Sequence, residues 1–227
     1  MNQYVFEYDH QPAFDEAEFL VADSNADARA WIDRWPDWDG RGLAIWGPKG
    51  SGKTHLADIW RRRSGARLVN AAGIGPDFFD SWQGGNLVLE DRVGGFSESG
   101  LLHVINLVRE DGGYLLITDT APPARWRVSL PDLRSRLAAL PAVAIGRPED
   151  DLIAAVLAKQ FRDRQIKVND GVISYLVLRM ERSFDAIGTI VENLDRLSLV
   201  EKRPITVPRA RRALETIFLD SSPDGET

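Results

Sequence analysis

The most informative segment of the chain is Gly47-Pro48-Lys49-Gly50-Ser51-Gly52-Lys53-Thr54. It matches the pattern G-x-x-x-x-G-K-[ST] in full. The residues just before it are apolar and predict a buried strand, and the residues just after it have the apolar spacing of a helix. Strand, glycine loop and helix together form the geometry of a phosphate-binding loop. The alternative is a glycine-rich turn that matches by chance, and the agreement between motif and context argues against it.

The chemistry of this loop follows from its residue types. Glycines let backbone N–H groups turn inward without a Cβ clash, and the following helix directs its positive end at phosphate. Lys53 is expected to reach the β- and γ-phosphates, and the Thr54 hydroxyl is expected to bind Mg²⁺. The nucleotide-binding residues predicted from this segment are Gly47, Pro48, Gly50, Ser51, Gly52, Lys53, Thr54 and His55.

Composition narrows the class of protein. A chain of 227 residues with 44% hydrophobic residues can hold one large domain, or a main domain with a small satellite. The net charge of −6 disfavours direct sequence-specific DNA binding, because DNA-binding domains usually carry positive charge. There is no cysteine, no secretion signal and no apolar run of the ~20 residues that a membrane span needs. These absences predict a cytoplasmic protein that does not contact membranes.

The alternation of elements predicts the fold class. Strands alternate with helices in the first two thirds of the chain, which indicates an α/β fold with a parallel sheet and helices on both faces. Helical periodicity then takes over, with helices expected at 150–164, 170–182 and 184–197. The predicted parts are an N-terminal tail at 1–12, a nucleotide-binding α/β domain at 13–147 and a small all-helical lid domain at 148–227.

An additional helix is expected near the start of the α/β domain. Ser24 or Asn25 can cap its N-terminus, and it carries Trp31 and Trp35 at a spacing of four residues. Packing of these tryptophans in the core is favoured over a binding patch.

Polar residues follow two other predicted strands. Glu90 and Asp91 come directly after an apolar run, where one acid can hold Mg²⁺ and the next can orient a water molecule for attack on the γ-phosphate. Most strands of this kind place Asp first, so the order here puts efficient hydrolysis in doubt, and two ordinary surface acids are the alternative. Thr118 or Asp119 ends another strand and is a candidate sensor of the γ-phosphate.

Arg134 and Arg136 lie on a predicted short helix before the last strand. An arginine at the rim of a nucleotide domain can act on the γ-phosphate bound by a neighbouring subunit, where it stabilises transition-state charge. From its spacing alone, a surface salt-bridge role is favoured for Arg136.

Three segments together resemble the AAA+ ATPases, and within them the DnaA family. Residues 47–56 are similar to the DnaA phosphate loop, including the His-Leu that follows the threonine. Residues 19–25 resemble the family's adenine-side motif, and residues 134–137 resemble the motif whose Ser-Arg supplies an arginine finger. The resemblance covers roughly residues 13–218 and implies bound ADP or ATP with Mg²⁺, held by Thr54 and Glu90. It also implies that Arg136 acts as the finger.

DnaA itself carries a helix-turn-helix domain after the lid, and this chain ends at the lid. The chain therefore resembles the Hda family, regulators that switch DnaA off by stimulating hydrolysis of its ATP. The resemblance implies DnaA and the β sliding clamp of DNA polymerase III as partners. It leaves a homodimer open and implies weak intrinsic hydrolysis at most.

Members of this family bind the clamp through a short N-terminal peptide that begins with Gln. Here Gln3, Tyr4, Phe6 and Tyr8 fit that form loosely, because aromatic residues replace the usual leucines. An N-terminal strand packed on its own domain is the alternative.

The lid departs from the family pattern at one position. The family's lid helix carries an arginine that reaches the phosphates, and Asp185 aligns with it here. Arg182 lies three residues earlier on the same helix face and is the expected substitute.

Two other classes of function remain as alternatives. A helicase loader of the DnaC type would bind helicase and single-stranded DNA, and the acidic charge is unfavourable for it. A P-loop metabolic kinase would need an acceptor pocket, and it would leave the helical lid and the arginine pair unexplained.

Overall fold

The protein is described by a computed structural model over residues 19–90, 97–201 and 204–220, without the side chains of residues 200, 201 and 218–220. Five parallel strands form one sheet in the order β2-β3-β4-β1-β5. The strands are β1 (Gly42–Trp46), β2 (Arg67–Asn70), β3 (Leu87–Glu90), β4 (Leu115–Asp119) and β5 (Ala142–Ala144). The predicted α/β fold class, with a parallel sheet followed by a helical lid, is confirmed.

The register of the strands brings polar residues to one edge of the sheet. β4 lies between β1 and β3, with Thr118 opposite Ile45 and Asp119 opposite Trp46. On its other side Ile117 pairs with Leu89, the residue before Glu90. The carboxyl ends of these three strands therefore meet where the phosphate loop begins, as in open α/β sheets that bind ligands.

Helices cover both faces of the sheet, because alternate residues of each buried strand point to opposite sides. The helices of this domain are α1 (Ala26–Asp33), α2 (Lys53–Ser64), α3 (Pro76–Asp80), α4 (Glu98–Glu110) and α5 (Pro131–Ala138). On one face Leu89 and Ile117 pack with residues of α3, α4 and α5. On the other face Val88 and Leu116 pack with residues of α1 and α2.

The tryptophans pack in the second of these clusters. Trp38 and Trp60 are buried and stack with ring centroids 5.0 Å apart. Trp31 and Trp35 are partly buried against the same cluster, which agrees with core packing, although Trp35 lies beyond the end of α1.

The prediction that a side chain caps α1 is wrong in its detail. Asn25 occupies the N-cap position, but its side chain forms no capping hydrogen bond. Instead its Oδ1 accepts from the Ala22 N–H and its amide donates to the Leu20 carbonyl. Asn25 is 2% exposed, so it uses its polar atoms to fix the preceding turn rather than the helix.

The lid consists of α6 (Asp150–Asp163), α7 (Asp170–Val177), α8 (Phe184–Glu201) and α9 (Val207–Asp220) around their own apolar core. The helix expected at 170–182 ends early, at Val177. The N–H groups of Arg179 and Met180 both donate to the Leu176 carbonyl, which tightens the chain into a turn before α8. Met180 remains buried in the core of the lid, so the apolar spacing alone suggested a longer helix.

The predicted division between residues 147 and 148 falls between β5 and α6. Among the described residues, no helix has the length and apolar character required to span a bilayer.

Candidate nucleotide-binding site

The phosphate loop is fixed at its start by the neighbouring strands. The Gly47 N–H donates to the Asp119 carbonyl at 3.0 Å, which ties the loop to the end of β4. A Cβ at position 47 would lie 2.2 Å from the Ile145 carbonyl oxygen, so only glycine fits there. The backbone at Gly50 and Gly52 is left-handed, with φ values of +64° and +95°. This is the local geometry that the motif predicts.

Two side chains of the loop have polar atoms placed for a ligand. The Lys53 ammonium donates to the carbonyls of Gly47 and Pro48 at 3.0 and 2.6 Å, so it lies across the loop. Ser51 is 2% exposed, and its Oγ has no hydrogen-bond partner in the described part of the chain. Buried hydroxyls are normally hydrogen-bonded, so this orphaned atom fits a loop that binds an external acceptor or donor.

The first turn of α2 faces the segment that resembles the adenine-side motif. Thr54 is exposed at the second position of α2. The His55 ring meets the Phe19 ring edge-on, with centroids 5.2 Å apart. The structure therefore brings Phe19, the first residue of this segment, against the helix that follows the phosphate loop.

The ends of β3 and β4 supply the polar groups expected beside the loop. Glu90 is partly buried, and Thr118 and Asp119 are 5% and 8% exposed. The Asp119 carboxylate accepts hydrogen bonds from the N–H groups of Thr120 and Ala121, which fixes the turn after β4. Which of Thr118 and Asp119 senses the γ-phosphate stays a prediction. Asp91 lies outside the described residues.

The two arginines of α5 differ in their contacts. The Arg134 guanidinium donates to the Val128 carbonyl at 2.6 Å. Arg136 is exposed and makes no hydrogen bond or ion pair with the described residues. Arg134 therefore stabilises the start of α5, and Arg136 is left available to a group outside the chain.

Glu98 of α4 holds the N-terminus of α5 in place. Leu130 at the N-cap has no capping side chain, and the Glu98 carboxylate instead accepts from the N–H groups of Ser129 and Leu130 at 2.9 and 2.8 Å. These two hydrogen bonds, that from Ser129 first, lower the pKa of Glu98 below its usual value. Nothing in the local sequence around Glu98 signals this contact.

The lid contacts the phosphate loop through the start of α8. The Phe184 N–H donates to the Gly50 carbonyl at 2.7 Å. A Cβ built at Gly50 would lie 2.8 Å from Ser183 Cβ and 3.1 Å from the Asp185 carboxylate, and one at Gly52 would lie 3.2 Å from the Phe184 ring. Asp185, the residue that aligns with the family's arginine, therefore contacts the loop.

Arg182 has a different partner. Its guanidinium forms an ion pair with Asp150 of α6 at 2.9 Å, and both side chains are largely exposed. Its predicted role as a substitute phosphate ligand stays a prediction. Gln3, Tyr4, Phe6 and Tyr8, predicted to bind the clamp, lie outside the described residues.

A second link joins the lid to the turn before α1. The Glu149 carboxylate, just before α6, accepts from the Ser24 N–H at 2.6 Å and from the Ser24 hydroxyl at 2.8 Å. Burial alone would raise the pKa of Glu149, but hydrogen bonds from its own backbone and from Ser24 outweigh burial and lower it.

The fold is that of a P-loop protein of the AAA+ class. Its features are the parallel sheet, the phosphate loop after β1, the polar ends of β3 and β4, and the helical lid on the loop. Residues 150–214 match the family model described as Hda, lid domain. This match covers the lid alone, and over those residues the chain is similar to Hda.

Solved structures share this fold at low sequence identity. Domain III of the replication initiation protein DnaA of Thermotoga maritima superimposes with a TM-score of 0.76 at 15% identity, over 90% of this chain and 97% of that one. AMPPCP-bound DnaA of Aquifex aeolicus gives a TM-score of 0.64 at 17% identity, over 82% of this chain and 66% of that one. An uncharacterised protein of Haemophilus influenzae is 28% identical over 187 residues, which is 75% of this chain and 80% of that protein.

Proposed function

We propose that this protein is an adenine-nucleotide-binding regulator of replication initiation that stimulates hydrolysis of DnaA-bound ATP while docked on the DNA sliding clamp. The match to the Hda lid model and the fold of DnaA domain III support a DnaA-related replication regulator. The observation that carries the more specific proposal is Arg136 on the fixed helix α5, which is exposed and has no ion pair or hydrogen bond with the described residues.

The phosphate loop fits a nucleotide. Phosphate oxygens require hydrogen-bond donors. The left-handed glycines allow backbone N–H groups to turn inward, and the Lys53 ammonium and the buried Ser51 hydroxyl are further donors in the loop. The relative from Aquifex aeolicus binds AMPPCP, an adenine nucleotide analogue, with the same fold. Thr54 and Glu90 would hold Mg²⁺, whose charge would neutralise that of the phosphates.

Arg136 acts in trans in this proposal. Its guanidinium would reach the γ-phosphate of ATP held by DnaA and stabilise the negative charge of the transition state. The anchoring of the same helix by Arg134 and Glu98 supports this role, because a finger must be presented from a rigid element. AAA+ subunits pack head to tail, so the rim that carries α5 would meet DnaA.

Docking on the clamp would raise the local concentration of the regulator near DnaA on DNA. The predicted docking segment contains Gln3, Tyr4, Phe6 and Tyr8, an extended peptide with aromatic anchors for an apolar pocket. Hydrolysis by the chain itself is proposed to be weak, because Glu90 precedes Asp91 and Asp185 lies at the loop.

The experiment that tests this function measures phosphate release from ATP-loaded DnaA in the presence of clamp on DNA, with and without this protein. Stimulation that disappears when the clamp is omitted is the expected result. No stimulation, with nucleotide binding by this protein intact, would contradict the proposal and would favour the helicase-loader class, which a helicase pull-down then tests.

A further inference from the structure

We propose that the lid carries a surface for the phosphate backbone of duplex DNA, at the place where α7 packs on α9. This α7–α9 surface consists of Tyr175, Arg179, Arg211 and Arg212. It contacts phosphate and reads no base sequence. Its use rests on the proposed docking on a clamp on DNA, whereas the contact itself requires neither clamp nor DnaA.

Tyr175 brings two of the arginines together. The Arg179 Cζ atom lies 4.3 Å from the centroid of the Tyr175 ring, and Arg211 Nε donates to the Tyr175 hydroxyl at 3.3 Å. Arg212 follows Arg211 on α9, and both are exposed because the buried side of this helix faces the apolar core of the lid. The surface thus combines three exposed guanidinium groups, and one ring holds two of them.

Helix stability does not explain the arginines of α9. Cations stabilise a helix near its C-terminus, and α2 follows this rule, since Arg61 and Arg62 lie in its last turn and both bind Asp58 at 2.7 Å. Arg211 and Arg212 instead lie in the N-terminal half of α9, whose first turn contains no acid. Neither forms an ion pair with any residue that the structure describes. The positive end of the α9 dipole therefore adds to their charge.

The chemistry of the surface fits phosphate oxygens. A guanidinium is always charged, and its planar fork of donors matches phosphate with two parallel hydrogen bonds. Arg179 and Arg211 are already held by Tyr175, so less side-chain freedom is lost on binding. Glu215 lies one turn beyond Arg211 and forms no ion pair with it, so the surface keeps a net positive charge.

Duplex DNA is favoured over an acidic peptide as the partner of this surface. Phosphates follow one another along each strand, so a duplex meets several arginines at once and needs no pocket. An acidic peptide would also use Leu178, which is 73% exposed beside Arg179, as an apolar contact. It is therefore the competing ligand in the test.

The contact is expected to be weak on its own. The chain has a net charge of −6, so the rest of the molecule opposes DNA. An affinity of about 10⁻⁴ M at physiological salt, the weak end of non-specific binding, is expected. A protein held on a clamp would meet DNA at high effective concentration, where a weak contact is sufficient to orient it.

The test measures binding of the full chain to a short fluorescent duplex of arbitrary sequence at several salt concentrations. Arg211→Gln together with Arg212→Gln is expected to lower the affinity about tenfold at low salt, and to reduce the slope of log affinity against log salt by about 2. Arg179→Gln is expected to reduce that slope by about 1. A second duplex of unrelated sequence should bind equally, because phosphates carry no sequence information.

The matched control is Arg61→Gln together with Arg62→Gln, which removes the same charge from another helix. Both arginines are paired with Asp58, so little change in affinity or salt slope is expected. Should the α9 variant fail to fold, Arg179→Gln, which lies beyond the end of α7, still tests the surface. Polyglutamate replaces the duplex in a parallel titration.

Three results would overturn the inference. They are no binding of wild type to the duplex even at low salt, equal affinity and salt slope in wild type and the Arg179 and α9 variants, and the same loss in the α2 control. Binding of polyglutamate in place of the duplex, lost with the α9 substitutions, would also overturn it and would assign the surface to an acidic peptide. The titration contains neither DnaA nor clamp, so its failure and the failure of the proposed function are separate results.

Discussion

At the scale of single residues, Gly50 meets two demands at once. Its φ of +64° is left-handed, and its surface is in contact with Ser183 and Asp185 of the lid. The sequence motif predicts the first demand, because the loop needs a glycine there. The second depends on a segment far along the chain, and no local pattern reveals it.

A comparison of Gly50→Ala with Gly65→Ala distinguishes the effect of backbone strain on stability from the effect of the lid contact. Gly65 has nearly the same φ, +67°, and open space where an added Cβ would lie. Both variants incur backbone strain of about 1 kcal/mol. In Gly50→Ala the new methyl group also collides with Ser183, so the free energy of unfolding is expected to fall by about 1–3 kcal/mol more. Urea unfolding of both variants measures this, and equal losses would contradict the lid contact.

At the scale of elements, α5 is held by its neighbours more than by its own sequence. It is eight residues long and has no capping side chain, and the Glu98 carboxylate of α4 takes the place of a cap. Arg136 therefore depends for its direction on a residue of a different helix.

Glu98→Gln is expected to lower the stimulation of DnaA by about tenfold, because an amide accepts these hydrogen bonds more weakly and α5 loses its fixed direction. Nucleotide binding by this protein should not change, since Glu98 is not in the loop. Glu110→Gln, an exposed acid at the other end of α4, serves as the control. Assays of phosphate release and nucleotide affinity decide this, and full stimulation by Glu98→Gln would refute the positioning role.

The elements also show where prediction from sequence succeeds. The phosphate loop and the helix α6 follow from local patterns, and α6 begins and ends within one residue of the predicted bounds 150–164. The helix α7 was predicted too long, since Met180 continues its apolar spacing after the backbone has turned. Apolar spacing in a sequence indicates which residues are buried. It does not locate the end of a helix when the residue after the turn is also buried.

At the scale of the whole molecule, the lid is joined to the sheet domain at two described places. One is the contact of Phe184 with Gly50, and the other is the pair of hydrogen bonds from Ser24 to Glu149, which are 125 residues apart. The Glu149 carboxylate, at the entrance to the lid, thus binds Ser24 of the segment that resembles the adenine-side motif. The sequence indicated both segments but could not show that they meet, because that contact depends on tertiary packing.

The Glu149 link has a defined pH dependence. The pKa of Glu149 is lower in the folded state than its ordinary value of 4.5, which applies to the unfolded chain. As the pH falls, the unfolded chain therefore binds a proton at this carboxylate before the native protein does. The contribution to stability is present above about pH 4.5 and is lost as the pH falls through the folded pKa. Between pH 6 and 3, the free energy of unfolding of Glu149→Gln is expected to fall less steeply than that of wild type. Urea unfolding at several pH values measures both slopes, and parallel slopes would contradict the link.

The proposed action of Arg136 on ATP bound by DnaA is tested most directly by phosphate release from ATP-loaded DnaA, with clamp on DNA and Arg136→Ala. Arginine fingers contribute about 10³–10⁵-fold where they have been measured, so stimulation should fall to background. Arg136→Lys should also lose most of it, because an ammonium lacks the planar fork of donors. Arg162→Ala, which removes an exposed arginine from α6, should behave as wild type. Stimulation by Arg136→Ala equal to that of wild type would contradict a role of Arg136 in this hydrolysis.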